Sequence, residues 1–205
     1  SPELGLAGTP QGRPTKWHRS AIDFVDEMMF AQELKFTGGE PFLIPQVRKI
    51  LERFVELDLA STVDLQFVTN CTQDLTDWWD LFGEFRCVHL NLSIDAIGKR
   101  YEYIRPGADW QQVNTIAQQI SDNRTPNCSV AVTCLEMILN THHMKETQAW
   151  TESRGFVFLA SGPIIDPDWL RVDALDKPDT RSKFIEQMTI MDKLYGTNWK
   201  DFVNE

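Results

Sequence analysis

The sequence predicts an α/β fold built on a parallel sheet, and three observations carry that prediction. Five short apolar stretches, centred near residues 34, 64, 89, 130 and 157, have strand character. A helical segment lies between each consecutive pair, and such regular alternation implies parallel strands joined by right-handed crossovers. Polar residues then gather just after the strands: Thr37 to Glu40 after the first, Thr69 and Asn70 after the second, Ser93 and Asp95 after the third. Periodicity alone leaves an open doubly wound sheet and a barrel both possible. In either, ligands sit at the carboxyl ends of the strands, so these polar groups should converge.

The elements follow in order. Residues 1–16 are rich in Gly, Pro and Thr without an apolar period and read as loop. Ser20 with Asp23 resembles a capping box, and Ile22, Val25 and Met29 recur at helical spacing, which predicts a helix over about 21–31. A strand follows at 33–37. Val47, Ile50, Leu51, Phe54 and Val55 mark an amphipathic helix, and Val63–Val68 alternates as a strand ending in Thr69-Asn70. A short helix suits 75–82, a strand 87–94, a helix 110–120 and a strand 128–134. A helix from about Thr141 to Ser153, a strand at 156–159 and a terminal helix at 183–194 complete the pattern.

Composition narrows the function. With 205 residues and 42% hydrophobic content, the chain can bury an ordinary globular core. A formal charge of -10 opposes attraction to phosphate backbones or anionic lipid, so neither nucleic acid nor membrane is an expected partner. No apolar run is long enough to span a bilayer and the start lacks the pattern of a signal peptide, which points to a cytoplasmic setting. Cys71, Cys87, Cys128 and Cys134 form no Cys-x-x-Cys pair, which argues for buried reduced thiols rather than a zinc knuckle or disulfide framework. Cys87 and His89 alternate onto one face, but two ligands do not make a metal site.

Leu34-Lys-Phe-Thr-Gly-Gly-Glu-Pro41 is the most informative stretch. Gly38 and Gly39 let the main chain approach a ligand without a Cβ, and Pro41 fixes the exit turn. Glu40 beside open carbonyls would make a cage of acceptors suited to an ammonium group. The same residues also suit an ordinary strand-to-helix turn with a solvated Glu.

Thr37-Gly-Gly-Glu-Pro41 after one strand, Thr69-Asn70 after the next, and Leu92-Ser-Ile-Asp-Ala-Ile-Gly-Lys-Arg-Tyr-Glu-Tyr-Ile-Arg-Pro-Gly107 after the third together resemble a radical S-adenosylmethionine enzyme. The Tyr-x-x-Ile-Arg-x-Gly segment at 101–107 resembles the group carrying a truncated SPASM extension, the twitch domain. The resemblance runs from about Trp17 to the C-terminus, including 166–175 and Leu194-Tyr-Gly-Thr-Asn-Trp199. It implies a partial (β/α) TIM-like barrel, with 1–16 a loop remnant, 17–165 the barrel core and 166–205 a twitch-proximal extension. It also implies that Gly38, Gly39 and Glu40 accept from the methionyl ammonium of S-adenosylmethionine, that Ser93 and Arg105 hold its carboxylate and ribose, and that Thr69 and Asn70 line the pocket floor. Asp95 would contact cofactor or substrate, although a strand-ending Asp before a helix also serves as an N-cap. The family usually follows Thr-Asn with Gly. Here Cys71 stands, costlier than Gly if that position needs a positive φ.

The family's Cys-x-x-x-Cys-x-x-Cys loop, which binds a four-iron four-sulfur cluster, is absent from the sequence. The chain begins with Ser, so truncation of the first strand and cluster loop is expected, with a degenerate barrel as the alternative. For the intact protein the resemblance implies reductive cleavage of S-adenosylmethionine, a reductant as partner, and a 5′-deoxyadenosyl radical that modifies a substrate such as a peptide or protein. The alternative is a non-catalytic barrel that binds a small molecule or peptide. A phosphate site at Gly38 and Gly39 is opposed by the charge of Glu40.

Overall fold

The computed structural model describes Val25 and residues 28–203. Five parallel strands, β1 (Glu33–Phe36), β2 (Asp64–Thr69), β3 (Cys87–Ser93), β4 (Cys128–Glu136) and β5 (Val157–Pro163), pair in sequence order. Each crossover therefore advances one strand in the same direction. A doubly wound sheet reverses direction at a switch point, whereas this one does not, and the architecture is that of part of a (β/α) barrel. Crossovers of one hand and one direction leave their helices on a single face.

That face is the core. In β2, Leu65 and Phe67 are buried while Asp64, Gln66 and Val68 are half-exposed, the period-two signature of a sheet covered on one side. Val88, Leu90, Leu92, Val130 and Val132 continue the buried layer. Against it pack α1 (Pro45–Glu56) through Val47, Leu51 and Phe54, and α4 (Trp110–Asn123) through Val113, Ile116, Ala117 and Ile120. α1 starts on a proline, whose fixed φ suits a first helical turn, and α4 on Asp109, whose carboxylate accepts from the Gln111 and Gln112 amides at 2.8 and 3.3 Å. Between β2 and β3 lies α2 (Trp79–Gly83), and between β4 and β5 lies α5 (Met144–Glu152).

Two further helices close the chain, α6 (Pro178–Tyr195) and α7 (Lys200–Val203). α6 begins five residues before the sequence pattern suggests, because its first turns carry polar residues and no apolar period. Phe184, Met188 and Ala174 pack with Tyr103 and residues Met137–Leu139 as a second apolar cluster beside the strand ends. The helix expected over 21–31 lies largely outside the described residues. Its described end, 28–31, is turn rather than helix, with the Met28 and Ala31 amides donating three residues back. Two helices escaped the periodicity altogether: the short α7, and α3 (Gly98–Ile104), which lies between β3 and α4 and buries Arg100, Tyr101 and Tyr103. Among the described residues no helix is long and apolar enough to cross a membrane.

Candidate functional site

Parallel register fixes the layer in which the strands end. Phe36 pairs with Phe67, Thr69 with Leu92, and Ser93 with Thr133. Gly38 is two residues beyond Phe36 and Thr69 two beyond Phe67, while Ser93 is one beyond Leu92. The polar residues after β1, β2 and β3 therefore share one edge, with neighbouring strands about 4.8 Å apart.

At the β1–β2 end, Gly38 and Gly39 have φ of 83° and 56°, and apart from their chain neighbours no atom of the described residues lies within 4 Å of where a Cβ would stand. Backbone conformation, not crowding, is what calls for glycine at the pair. Among the described residues the space beside them is open, so their main chain could be approached closely. Glu40 is turned inward. It is 7% exposed, and its Oε1 and Oε2 accept from the Thr69 hydroxyl at 2.8 and 2.9 Å. The Asn70 amide donates to Oε2 at 2.9 Å and the Phe42 amide to Oε1 at 3.4 Å. Glu40 thus stitches the exit of β1 to the exit of β2 and caps the 3-10 turn that buried Pro41 opens. A carboxylate has about four lone-pair sites, so acceptor capacity remains. Among the described residues no cation pairs with it.

Asn70 turns its own Oδ1 to the Thr72 amide and hydroxyl, at 3.1 and 2.6 Å. Cys71 follows with φ 60°, so the position does take the left-handed conformation that favours glycine, and a buried cysteine occupies it. Burial, with the charge of Glu40 second, pushes the Cys71 thiol up to about 12.

At the β3–β4 end, half-buried Ser93 closes β3 and Asp95 lies two residues on. Asp95 caps no helix. Its Oδ2 accepts from Arg105 Nη2 at 2.8 Å and Nε at 3.2 Å, and its Oδ1 from the Leu135 amide at 3.1 Å. Arg105, just past α3, is thereby brought back to the strand ends, its guanidinium 5.8 Å from the Tyr101 ring centroid. A cavity of about 540 Å³ opens beside this pair, lined also by Tyr103, Met137, Trp169 and Met188. Fully buried Asn140, after β4, was not foreseen. Its amide donates to the Asp95 carbonyl at 2.7 Å and the Leu135 carbonyl at 2.8 Å. No pattern in a single sequence marks such a residue, since an Asn before a helix reads as loop or cap.

The site joins Glu40 to Thr69 and Asn70, and Asp95 to Arg105, as two adjoining clusters. Its double glycine, a carboxylate without a cationic partner among the described residues and a guanidinium suit a ligand that carries both an ammonium and a carboxylate. An iron–sulfur cluster does not fit these residues. No three His, Cys, Asp or Glu converge among the described residues. Cys71, Cys128 and Cys134 are buried, and burial pushes each thiol up to about 12, away from the thiolate that iron needs.

The sequence matches the family model of the Radical SAM superfamily over residues 11–149, more than half its length. The chain belongs to the radical SAM superfamily. Its fold is similar to that of Streptococcus suis SuiB bound to S-adenosylmethionine, with TM-score 0.55 and 12% identity over 84% of this chain and 41% of SuiB. SuiB bound to the precursor peptide SuiA gives TM-score 0.55 and 12% identity, covering 85% and 40%. Native anSMEcpe with bound AdoMet gives 0.57 and 17%, covering 87% and 53%. The chain spans about half or less of these proteins' length. No curated protein sequence matches it.

Proposed function

We propose that this chain is the cofactor-binding part of a radical S-adenosylmethionine enzyme of the SPASM/twitch group, acting on a peptide or protein. One observation carries the reading: Gly38 to Pro41, Thr69 and Asn70, and Ser93 and Asp95 share one edge at the carboxyl ends of three adjacent parallel strands, where Arg105 also arrives. In this reading the Gly38 and Gly39 carbonyls and the remaining acceptor capacity of Glu40 take the methionyl ammonium. Thr69 and Asn70 hold Glu40 at its angle. Ser93 and the Arg105 edge that faces away from Asp95 hold the carboxylate and ribose, and the fork of Arg105 suits a carboxylate as Lys could not. When bound, S-adenosylmethionine supplies the source of a 5′-deoxyadenosyl radical, while the chain binds, orients and excludes water.

The barrel core is proposed as 17–165 and the extension as 166–205, whose Ala174, Phe184 and Met188 pack onto Tyr103 and Met137–Leu139 of the core. The cluster loop, its four-iron four-sulfur cluster and a reductant belong, in this proposal, to parts of the whole protein outside these residues. A peptide substrate is supported by SuiB, similar in fold, being bound to a precursor peptide. Four unpaired thiols support a reducing, cytoplasmic setting.

Calorimetry with S-adenosylmethionine tests the pocket. Weak binding is expected, weakened further by Glu40→Gln and by Arg105→Lys; affinity unchanged by both substitutions rejects it. A second reading is a barrel without radical chemistry that binds a small molecule or peptide, in keeping with the described residues bringing no three His, Cys, Asp or Glu together. The sequence encoded upstream of Ser1 separates the two, since only the first requires a three-cysteine loop.

A further inference from the structure

We infer that Asn140 is a positioning residue of this site, holding Asp95 so that Asp95 can aim Arg105. The inference rests on the proposed cofactor pocket only in what it says about ligand affinity. Asn140 lies at the end of the turn that follows β4 and is 1% exposed. Its side chain uses both kinds of atom. Nδ2 donates to the Asp95 carbonyl at 2.7 Å and to the Leu135 carbonyl at 2.8 Å, and Oδ1 accepts from the Met137 amide at 2.8 Å.

These bonds close a ring. Leu135 gives its amide to the Asp95 carboxylate at 3.1 Å, while Asn140 joins the carbonyls of the same two residues. Asp95 is therefore held at its main chain by Asn140 and at one carboxylate oxygen by Leu135. The other oxygen is left to receive Arg105 at 2.8 and 3.2 Å. Without the Asn140 amide, the Asp95 carbonyl keeps, among the described residues, only the weak Cys134 thiol donor at 3.3 Å. The turn carrying Asn140 is itself fixed from outside: the Ile138 amide donates to the Leu170 carbonyl at 2.9 Å, and Arg100 donates to the Leu139 carbonyl at 2.7 Å. An immobile anchor is what a positioning role requires, because a mobile one would transmit its motion to Arg105. Only a side chain of this length with two donors and one acceptor on one planar group satisfies all three partners. Aspartate, of the same shape, still accepts from the Met137 amide but loses both donors.

The test follows the Arg105 Nε–H resonance by NMR and S-adenosylmethionine affinity by calorimetry. In Asn140→Asp the resonance should move to the position of a free guanidinium, while the control Thr151→Ser, at another fully buried site, leaves it in place. Affinity should fall about tenfold in Asn140→Asp, but less than twofold further when Arg105→Lys is already present, since both act through one group. A folded Asn140→Asp with an unmoved Arg105 resonance, or with additive losses, overturns the inference. If the native chain does not bind S-adenosylmethionine, the pocket reading fails and the resonance still decides the role of Asn140. Asn140→Ser, which retains one donor, should give a smaller movement of the same sign. Should neither variant fold, hydrogen exchange in the native protein decides: a shared opening of the Asn140 side-chain amide and the Arg105 Nε–H supports the role, and independent openings overturn it.

Discussion

Two buried carboxylates end adjacent parts of this sheet, and they are satisfied in opposite ways. Glu40 is held by neutral donors alone, the Thr69 hydroxyl and the amides of Asn70 and Phe42. Asp95 is held by a guanidinium and one amide. Each ties the exit of one strand to the next, so each does structural work. The difference lies in charge. The Asp95–Arg105 pair is neutral as a unit, whereas the charge on Glu40 has no cationic partner among the described residues. An unpaired buried carboxylate is costly unless hydrogen bonds or a ligand compensate it. The Glu40 end therefore compensates its charge through neutral donors, and the Asp95 end sets the direction of a cation already present.

Asp95→Ala should break this contrast most. It strands Arg105 over a partly desolvated surface and frees the Leu135 amide, and removal of one partner from a pair 11% and 31% exposed should cost about 3 kcal/mol. Chemical denaturation measures it. A loss below about 1 kcal/mol would place the pair with ordinary surface ion pairs.

Thr69→Val should come next. The substitution keeps the shape but removes a hydroxyl that donates to both Glu40 oxygens and accepts from the Cys71 amide at 3.1 Å. About 2 kcal/mol is expected, since Glu40 retains the Asn70 amide. A loss equal to that of Asp95→Ala would show that the neutral cluster carries as much as the ionic one.

Much of this arrangement was legible in the sequence, but not its direction. The alternation of strands and helices gave five strands in order, and Thr37 to Glu40, Thr69, Asn70, Ser93 and Asp95 do end on one edge. The doubled glycine was visible as a place without a Cβ, and the strain at Cys71 only as a condition, because cysteine has no signature of positive φ and the family's usual glycine there was the one hint. Where Glu40 and Asp95 point was not. A carboxylate beyond a strand end has left the period-two rule, and only the neighbouring strand decides whether it meets solvent, a hydroxyl or a guanidinium. α3 was missed because Tyr101, Tyr103 and Arg100 bury on more than one side, which erases an amphipathic stripe.

Each carboxylate also has a cysteine beside it, which sharpens the comparison. Cys71 and Cys134 are both pushed up to about 12, by burial first and by the charge of Glu40 or Asp95 second. A thiol raised in the folded state contributes stability that is fully present below its unfolded value, near 8.5, and is lost as pH rises toward 12. Stability should therefore decline above about pH 9, and neither thiol should react with an alkylating reagent at pH 8 in the folded chain. Rapid alkylation of Cys71 but not Cys134 would show that the Glu40 end opens locally.

Backbone strain is the smallest difference between the two ends. Beside Asp95 the left-handed positions at 98 and 107 are glycines, while beside Glu40 the corresponding strain falls on Cys71 with φ 60°. Left-handed backbone costs a residue with a Cβ about 1 kcal/mol or more. Cys71→Gly relieves that but gives up a side chain only 1% exposed, and adds the entropy of glycine to the unfolded chain, so the net change should lie within about 0.5 kcal/mol of zero. Asp58 provides the reference. It is exposed with φ 57° just past α1, where its amide donates to the Val55 carbonyl and that of Leu59 to Phe54, both at 3.0 Å, the double closure in which glycine is preferred. Asp58→Gly has no buried side chain to lose and should stabilise by about 0.5 to 1 kcal/mol. If Cys71→Gly stabilises as much as Asp58→Gly, the buried thiol contributes nothing to packing. If it destabilises by more than about 1 kcal/mol, Cys71 is held by its contacts, and the strain beside Glu40 is offset there rather than stored.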